Sequence, residues 1–205
     1  MRIKVGVMGS AGDALPDDLR EAINEKAEAL GRALAARGVV VLTGATTGLP
    51  HLVGRAAHAR GALHVGVSPA ENAREHAEVY RLPVEATDVI IQTRFGLKGR
   101  NVVLVRSSDI VLVVRGSMGA LNEFTIAHDE GKVVGCLTGT GGVADEAARL
   151  MRALPKTTRA RVIFDDDPAR LLDACLRALE ESSAAKAEGS NEGNAEGSPE
   201  EERKD

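Results

Sequence analysis

Short apolar runs and longer amphipathic stretches alternate along the chain from residue 3 to residue 180. The runs 3–8, 39–42, 63–67, 109–114, 133–137 and 161–164 are rich in valine and isoleucine, and 89–91 is a weaker run of the same kind. Wholly apolar runs of this length read as strands buried on both faces. Between them, Leu19, Ala22, Ile23, Ala27, Leu30, Ala33 and Leu34 recur at helical spacing over 17–37, and Gly38 ends that helix. Further helices are expected over 49–60, 98–107, 119–130 and 143–154. A closing helix starts at Asp167-Pro168, a capping residue followed by a proline in the first turn, and carries the stripe Leu171, Leu172, Cys175, Leu176 and Leu179. Alternation of this kind predicts an α/β fold, an open parallel sheet with helices on both faces. In such sheets the ligand lies beyond the carboxyl ends of the strands.

Composition divides the chain in two. After Ser183 the residues are mainly Gly, Glu, Asn, Ser and Ala with no apolar face, so 1–183 is expected to be the folded domain and 184–205 a disordered acidic tail. The formal net charge is −4, and the tail with its seven acidic and three basic residues carries all of it. The body is formally neutral. That balance, with three Phe, one Tyr and no Trp, argues against a basic or aromatic nucleic-acid platform. Two cysteines, Cys136 and Cys175, make no disulfide framework and no metal spacing; they read as small buried hydrophobes in a reducing compartment. No apolar run approaches the roughly 18 residues of a spanning helix. A cytoplasmic protein without a membrane partner is expected.

Three glycine-bearing loops follow strands: Gly9-Ser10-Ala11-Gly12, Gly44-Ala45-Thr46-Thr47-Gly48 and Gly116-Ser117-Met118-Gly119. Each sets small residues at a helix start, where free N–H groups and the helix dipole favour an anion, and Ser10, Thr46, Thr47 and Ser117 add hydroxyls. The spacing of Gly6, Gly9 and Gly12 is not the dinucleotide G-x-G-x-x-G, strand two ends in Thr43 instead of an acidic residue, and no Walker motif occurs. Glu123 lies four residues after Gly119 and shares the face turned to the strand ends. A carboxylate beside an anion site needs either chemistry or a cation, and Arg100 is the nearest candidate. The five histidines are scattered, with no third ligand for His51 and His58. No metal site is expected.

Taken in order, Gly99-Arg100-Asn101, Ser108-Asp109, Gly116-Ser117-Met118-Gly119-Ala120-Leu121-Asn122-Glu123 and Gly131-Lys132 resemble the motifs of the Lonely Guy (LOG) and molybdenum-cofactor-carrier superfamily. Upstream, Gly44–Leu49 resembles its G-G-x-x-G-L loop, and Val65-Gly66-Val67-Ser68-Pro69 its G-I-S-P strand. The resemblance covers roughly residues 3–155. It implies a Rossmann-like fold, a homodimer or homotetramer, and a phosphorylated small molecule as partner. Gly116, Ser117, Gly119 and Ala120 would cradle the phosphate, with Gly9, Ser10, Gly12, Gly44, Thr46, Thr47, Gly48 and Asn101 around it. Apart from the resemblance, Arg94 and Phe95 are expected, from their place just before Arg100, to supply an anion-facing and a ring-facing contact.

This chain departs from the LOG pattern in four places. Ser117 replaces a glycine, Ala120 a threonine, Arg115 a proline, and Asn101 follows Arg100 where LOG enzymes have lysine. The Arg-Asn pair is more similar to the carrier branch. The expectation is therefore a binding protein for a nucleotide or a molybdenum cofactor, with no cofactor required. The alternative is a phosphoribohydrolase cleaving the N-glycosidic bond of nucleoside 5′-monophosphates. In that reading Arg100 orients the ligand, and Glu123 stabilises the oxocarbenium-like charge or activates water. A third reading is a vestigial site whose tail recruits a partner.

Overall fold

A computed structural model describes residues 1–11 and 17–192. Its strands are β1 (Lys4–Gly9), β2 (Val40–Thr43), β3 (His64–Ser68), β4 (Val89–Gln92), β5 (Ile110–Val114), β6 (Val133–Leu137) and β7 (Arg161–Asp165). Its helices are α1 (Asp17–Ala36), α2 (Leu49–His58), α3 (Gly96–Ser107), α4 (Met118–Asp129), α5 (Val143–Ala153) and α6 (Pro168–Glu192). All seven strands pair in parallel in the order β4-β3-β2-β1-β5-β6-β7. This is the Rossmann-like α/β sheet expected from the alternation of periods. The order reverses between β1 and β5, and a ligand crevice opens at such a switch point.

The central strands are apolar at every position because both of their faces are covered. Ile110, Leu112 and Val114 of β5 join Val5 and Val7 in a core with α1, α2 and α6. Val111 and Val113 point the other way and pack with Leu104, Ala120, Phe124 and Ala147 from α3, α4 and α5. Burying one such Val or Leu contributes about 1.5–3 kcal/mol, so this double seam is the main stabilising mass of the fold. The edge strands β4 and β7 are covered less: Val89 and Ile91 of β4 stay about half exposed, and Phe164 of β7 is also exposed.

Three features differ from the pattern reading. A π-helical turn at Glu75–Val79 follows β3 where no element was expected. It carries His76, whose ring nitrogens lie 2.8 Å from Ser68 Oγ and 3.0 Å from Pro83 O. Helix α3 begins at Gly96, a turn capped by backbone geometry alone. Helix α6 passes the expected stop at Ser183 and runs to Glu192, with the strong helix formers Ala184, Ala185 and Ala187 in its extension. The rest of the expected tail, 193–205, lies outside the described residues, as does Gly12. Among the described residues no helix is long and apolar enough to cross a membrane.

Candidate functional site

The loops after β1, β2 and β5 meet over the switch point and enclose a cavity of about 240 Å³. Gly9, Gly44, Thr46, Asn101, Ser117, Gly119 and Ala120, all expected site residues, line it together with Arg100 and Glu123. The loops are tied to one another. Ser10 is buried and its Oγ accepts the N–H of Gly116, while its carbonyl accepts the N–H of Leu49 at the start of α2. Thr47 donates its hydroxyl to the carbonyl of Ala11. Ser10, Thr47, Gly48 and Gly116 thus frame the cavity without lining it. Gly116 sits at φ 93°, and a side chain there would also press on Ala120.

Arg100 from α3 and Glu123 from α4 form an ion pair with Nη1 and Oε1 3.1 Å apart, and each side chain is only 7% exposed. Helix α3 follows the edge strand β4 and α4 follows β5, so their side-by-side packing on one sheet face brings the two residues together. Arg100 Nη1 also donates to Asn101 Oδ1 at 3.1 Å, and Asn101 Nδ2 donates to Asn122 Oδ1 at 2.9 Å. The guanidinium lies flat against the backbone of Gly44, where an added Cβ would stand 2.4 Å from Nη1. The buried Nε of Arg100 has no acceptor.

Burial dominates the electrostatics of this pair. It pushes the Glu123 carboxyl up to about 7, against the pull of Arg100 and Lys98, and it pulls the Arg100 guanidinium below its usual value against the attraction of Glu123. Desolvation outweighs mutual attraction for both partners, as is common for buried pairs. A carboxyl that titrates near neutrality beside a fixed cation can accept or donate a proton at the cavity wall.

Arg94 and Phe95 are not part of this wall. Arg94 is exposed and pairs with Glu71, and Phe95 is 64% exposed at the start of α3. The residues that α3 contributes to the wall are Leu97, Lys98, Arg100 and Asn101.

The sequence reading passed over Lys98, Leu97 and Pro50, which also line the cavity. It also passed over a fourth glycine loop, Thr138-Gly139-Thr140-Gly141-Gly142 after β6. That loop buttresses the site from outside. Arg115 adopts φ 57°, donates its N–H to Thr140 Oγ1 at 2.8 Å, and receives the N–H of Ala144 at 2.9 Å on its carbonyl. A proline here could adopt neither that φ nor that donor role, so the departure from the LOG pattern at Arg115 is built into the backbone. Within the fourth loop, the Asp145 carboxylate accepts the N–H groups of Gly139 and Gly141 at 2.8 and 2.9 Å.

Elsewhere, histidines serve structure. His64 is buried, with Nε2 2.9 Å from Thr43 Oγ1 and Nδ1 2.6 Å from Ala86 O, and burial holds its pKa below the usual value. His51 and His58 on α2 face Glu85 and Asp88 at 3.5 and 3.3 Å. Among the described residues no group of three or more His, Cys, Asp or Glu side chains could hold a metal ion. Cys136 and Cys175 are both buried and unpaired by any disulfide, and burial pushes each thiol up to about 12.

Known proteins share this fold. The crystal structure of TM1055 superposes with a TM-score of 0.71 at 25% identity, over 87% of this chain and 99% of that one. The molybdenum cofactor carrier protein of Chlamydomonas reinhardtii gives 0.69 at 24% identity, over 89% and 99% of the two chains. The molybdenum cofactor binding protein of the phototrophic bacterium Rippkaea orientalis gives 0.64 at 24%, over 88% and 97%. An uncharacterised protein of Archaeoglobus fulgidus is 30% identical over 135 residues, 66% of this chain and 80% of its own length. The family model described as the SLOG cluster4 family matches residues 2–172. The chain belongs to that family, the SLOG cluster4 family.

Proposed function

We propose that the chain binds a phosphate-bearing small molecule, a nucleotide or a molybdopterin-type cofactor, in the cavity over β1 and β5. One observation carries this reading. A buried arginine with an unsatisfied Nε lines a cavity at the sheet's switch point, and a buried donor of that kind costs about 1–3 kcal/mol until something accepts from it. The open start of α4, with Ser117 and Gly119 on the cavity wall, supports an anionic group there. The molybdenum-cofactor proteins that share the fold put the pterin among the ligands to test.

Purified protein has one Tyr and no Trp, so a co-purifying nucleotide or pterin would dominate its ultraviolet absorption and mass spectrometry would identify it. Titration with nucleoside monophosphates, ribose 5-phosphate and molybdenum cofactor follows. Absence of binding to all of them at millimolar concentration would overturn the reading.

A specific observation favours one second reading, turnover of a nucleoside 5′-monophosphate. The Glu123 carboxyl titrates near neutrality beside Arg100. Release of free base from AMP that is abolished by Glu123→Ala supports hydrolysis; release that survives the substitution rejects it.

A further inference from the structure

Strand β3 reaches the edge strand β4 through the segment 69–88, whose only regular element is the π-helical turn Glu75–Val79. Two histidines fasten this strap, and both do so in the same way. His76 lies in the strap and His64 on β3, and each is only 1% exposed. His76 Nε2 stands 3.0 Å from Pro83 O, and His64 Nδ1 stands 2.6 Å from Ala86 O. A carbonyl only accepts, so these two nitrogens carry the ring protons. The other nitrogen of each neutral ring accepts from a hydroxyl at a strand end. Ser68 Oγ is 2.8 Å from His76 Nδ1, and Thr43 Oγ1 is 2.9 Å from His64 Nε2. Each hydroxyl oxygen in turn accepts the N–H two residues on, from Ala70 at 3.1 Å and from Ala45 at 3.3 Å.

Protonation breaks this pattern at one point in each fastener. The accepting nitrogen becomes a donor facing a hydroxyl that already accepts an N–H. The hydroxyl hydrogen then has no other acceptor among the described residues. A buried cation with no carboxylate on its ring is left beside it.

The charges around the two rings differ. Near His64, the Asp88 carboxylate accepts the main-chain N–H of His64 at 2.8 Å, and His51 and His58 of α2 face Glu85 and Asp88. Arg55 of the same helix adds positive charge beside Glu85. Once protonated, His51 and His58 repel a charge on His64 and hold the 85–88 end of the strap to α2. Near His76 the charged groups are Glu75 and Glu78 on its own turn, with Arg74 paired to Glu78 and Arg94 to Glu71. Ser68 and Pro83, which meet its ring, are uncharged. Acid therefore acts on the His76 end first. The His64 fastener also reaches the cavity. The Thr43 hydroxyl holds the N–H of Ala45 at φ 50°, and between the two Gly44 lies against the Arg100 guanidinium.

We infer that His76 and His64 make the segment 69–88 an acid-released strap: protonation frees it at the Glu75–Val79 turn first and at Ala86 at lower pH, where the change at Thr43 also loosens the loop that backs Arg100. Solution pH is thereby linked to the shape of the cavity wall.

Backbone amide exchange at pH 8 and pH 5, corrected for intrinsic rates, is compared for the wild type, His76→Gln and His64→Gln. The β5 amides of Ile110–Val114 gauge global unfolding. The probes in the strap are the N–H groups of Tyr80 and Leu82, bonded to Glu75 O and His76 O, and that of Asp88, bonded to His64 O. In the wild type, Tyr80 and Leu82 are expected to lose protection about tenfold or more at pH 5 relative to β5, and Ala45 and Asp88 to lose less. His76→Gln should abolish the pH dependence at Tyr80 and Leu82, and His64→Gln should abolish it at Ala45 and Asp88. Where a variant fails to fold, the wild type alone decides: the Cε1–H resonances of the rings are titrated, and the loss of strap protection has to follow that of His76. Strap protection that is equal at both pH values would overturn the inference, whether or not the rings titrate. So would an equal loss across strap and β5, or a pH dependence at Tyr80 and Leu82 that survives His76→Gln. None of these readouts uses a ligand, so their failure leaves the small-molecule reading standing.

Discussion

The Ser10 hydroxyl accepts the Gly116 N–H at 3.2 Å, so a single bond ties the loop after β1 to the loop after β5 across the switch point. Both groups are buried. Ser10→Ala leaves the Gly116 N–H without an acceptor and is expected to cost about 1–3 kcal/mol of stability. Urea unfolding measures this. A variant as stable as the wild type would show that water or another acceptor replaces the hydroxyl.

Gly44→Ala introduces a carbon into the space held by the Arg100 guanidinium. Both the loop backbone and the arginine are fixed, so overpacking of about 1–3 kcal/mol is expected. Ligand affinity should fall with it, because Arg100 must move. Paired unfolding and binding measurements test this, and unchanged values in both would mean that the arginine shifts freely.

Glu123 gives the site a pH signature. Its carboxyl rises from 4.5 to about 7 on folding, mainly through burial. Between those values the folded protein holds more protons than the unfolded chain, so Glu123 weakens the fold as pH rises. The stability of the wild type relative to Glu123→Gln should therefore be greater at pH 5 than at pH 8, by up to about 3 kcal/mol. Unfolding curves at the two pH values check it; a difference that is flat over this window would give Glu123 an ordinary carboxylate environment.

Removing the other partner has the opposite pH weighting. Arg100→Met strands the Glu123 charge and is expected to cost about 3–5 kcal/mol at pH 8. At pH 5 the carboxyl is protonated and the loss should shrink. A loss of equal size at both pH values would mean that lost packing, not the stranded charge, governs the effect.

Thr43→Val removes the hydroxyl partner of the buried His64 Nε2, and about 1–3 kcal/mol should be lost. The His64 pKa is lowered from 6.5 by burial, so its contribution is present above 6.5 and is lost as pH falls below it. That trend opposes the one from Glu123. Comparing each variant with the wild type at both pH values separates the two.

Much of this architecture is legible in the residue pattern, for identifiable reasons. Strands such as Ile110–Val114 are apolar throughout because helices cover both faces, whereas a strand with one wet face would alternate apolar and polar residues. Arg100 and Glu123 were legible as a motif pair, since each sits at a fixed offset from a glycine turn. Lys98 was not: its approach to Gly119 depends on the packing of α3 against α4, which no spacing within one helix encodes. Arg94 and Phe95 lie near Arg100 along the chain yet outside the cavity wall, because nearness in sequence is not nearness in space. The Glu75–Val79 turn carries no apolar period, and its buried His76 is held by Ser68, eight residues earlier.

The Asp145 carboxylate has a consequence for selectivity. By sitting on the N–H groups of Gly139 and Gly141, it acts as a tethered competitor at the fourth glycine loop. Any free anion would have to displace a group held at high effective concentration by its own helix. Two N–H groups of this loop are thus occupied from within the chain. Of the four glycine turns at the carboxyl ends of the strands, the one after β6 is thereby occupied by its own helix.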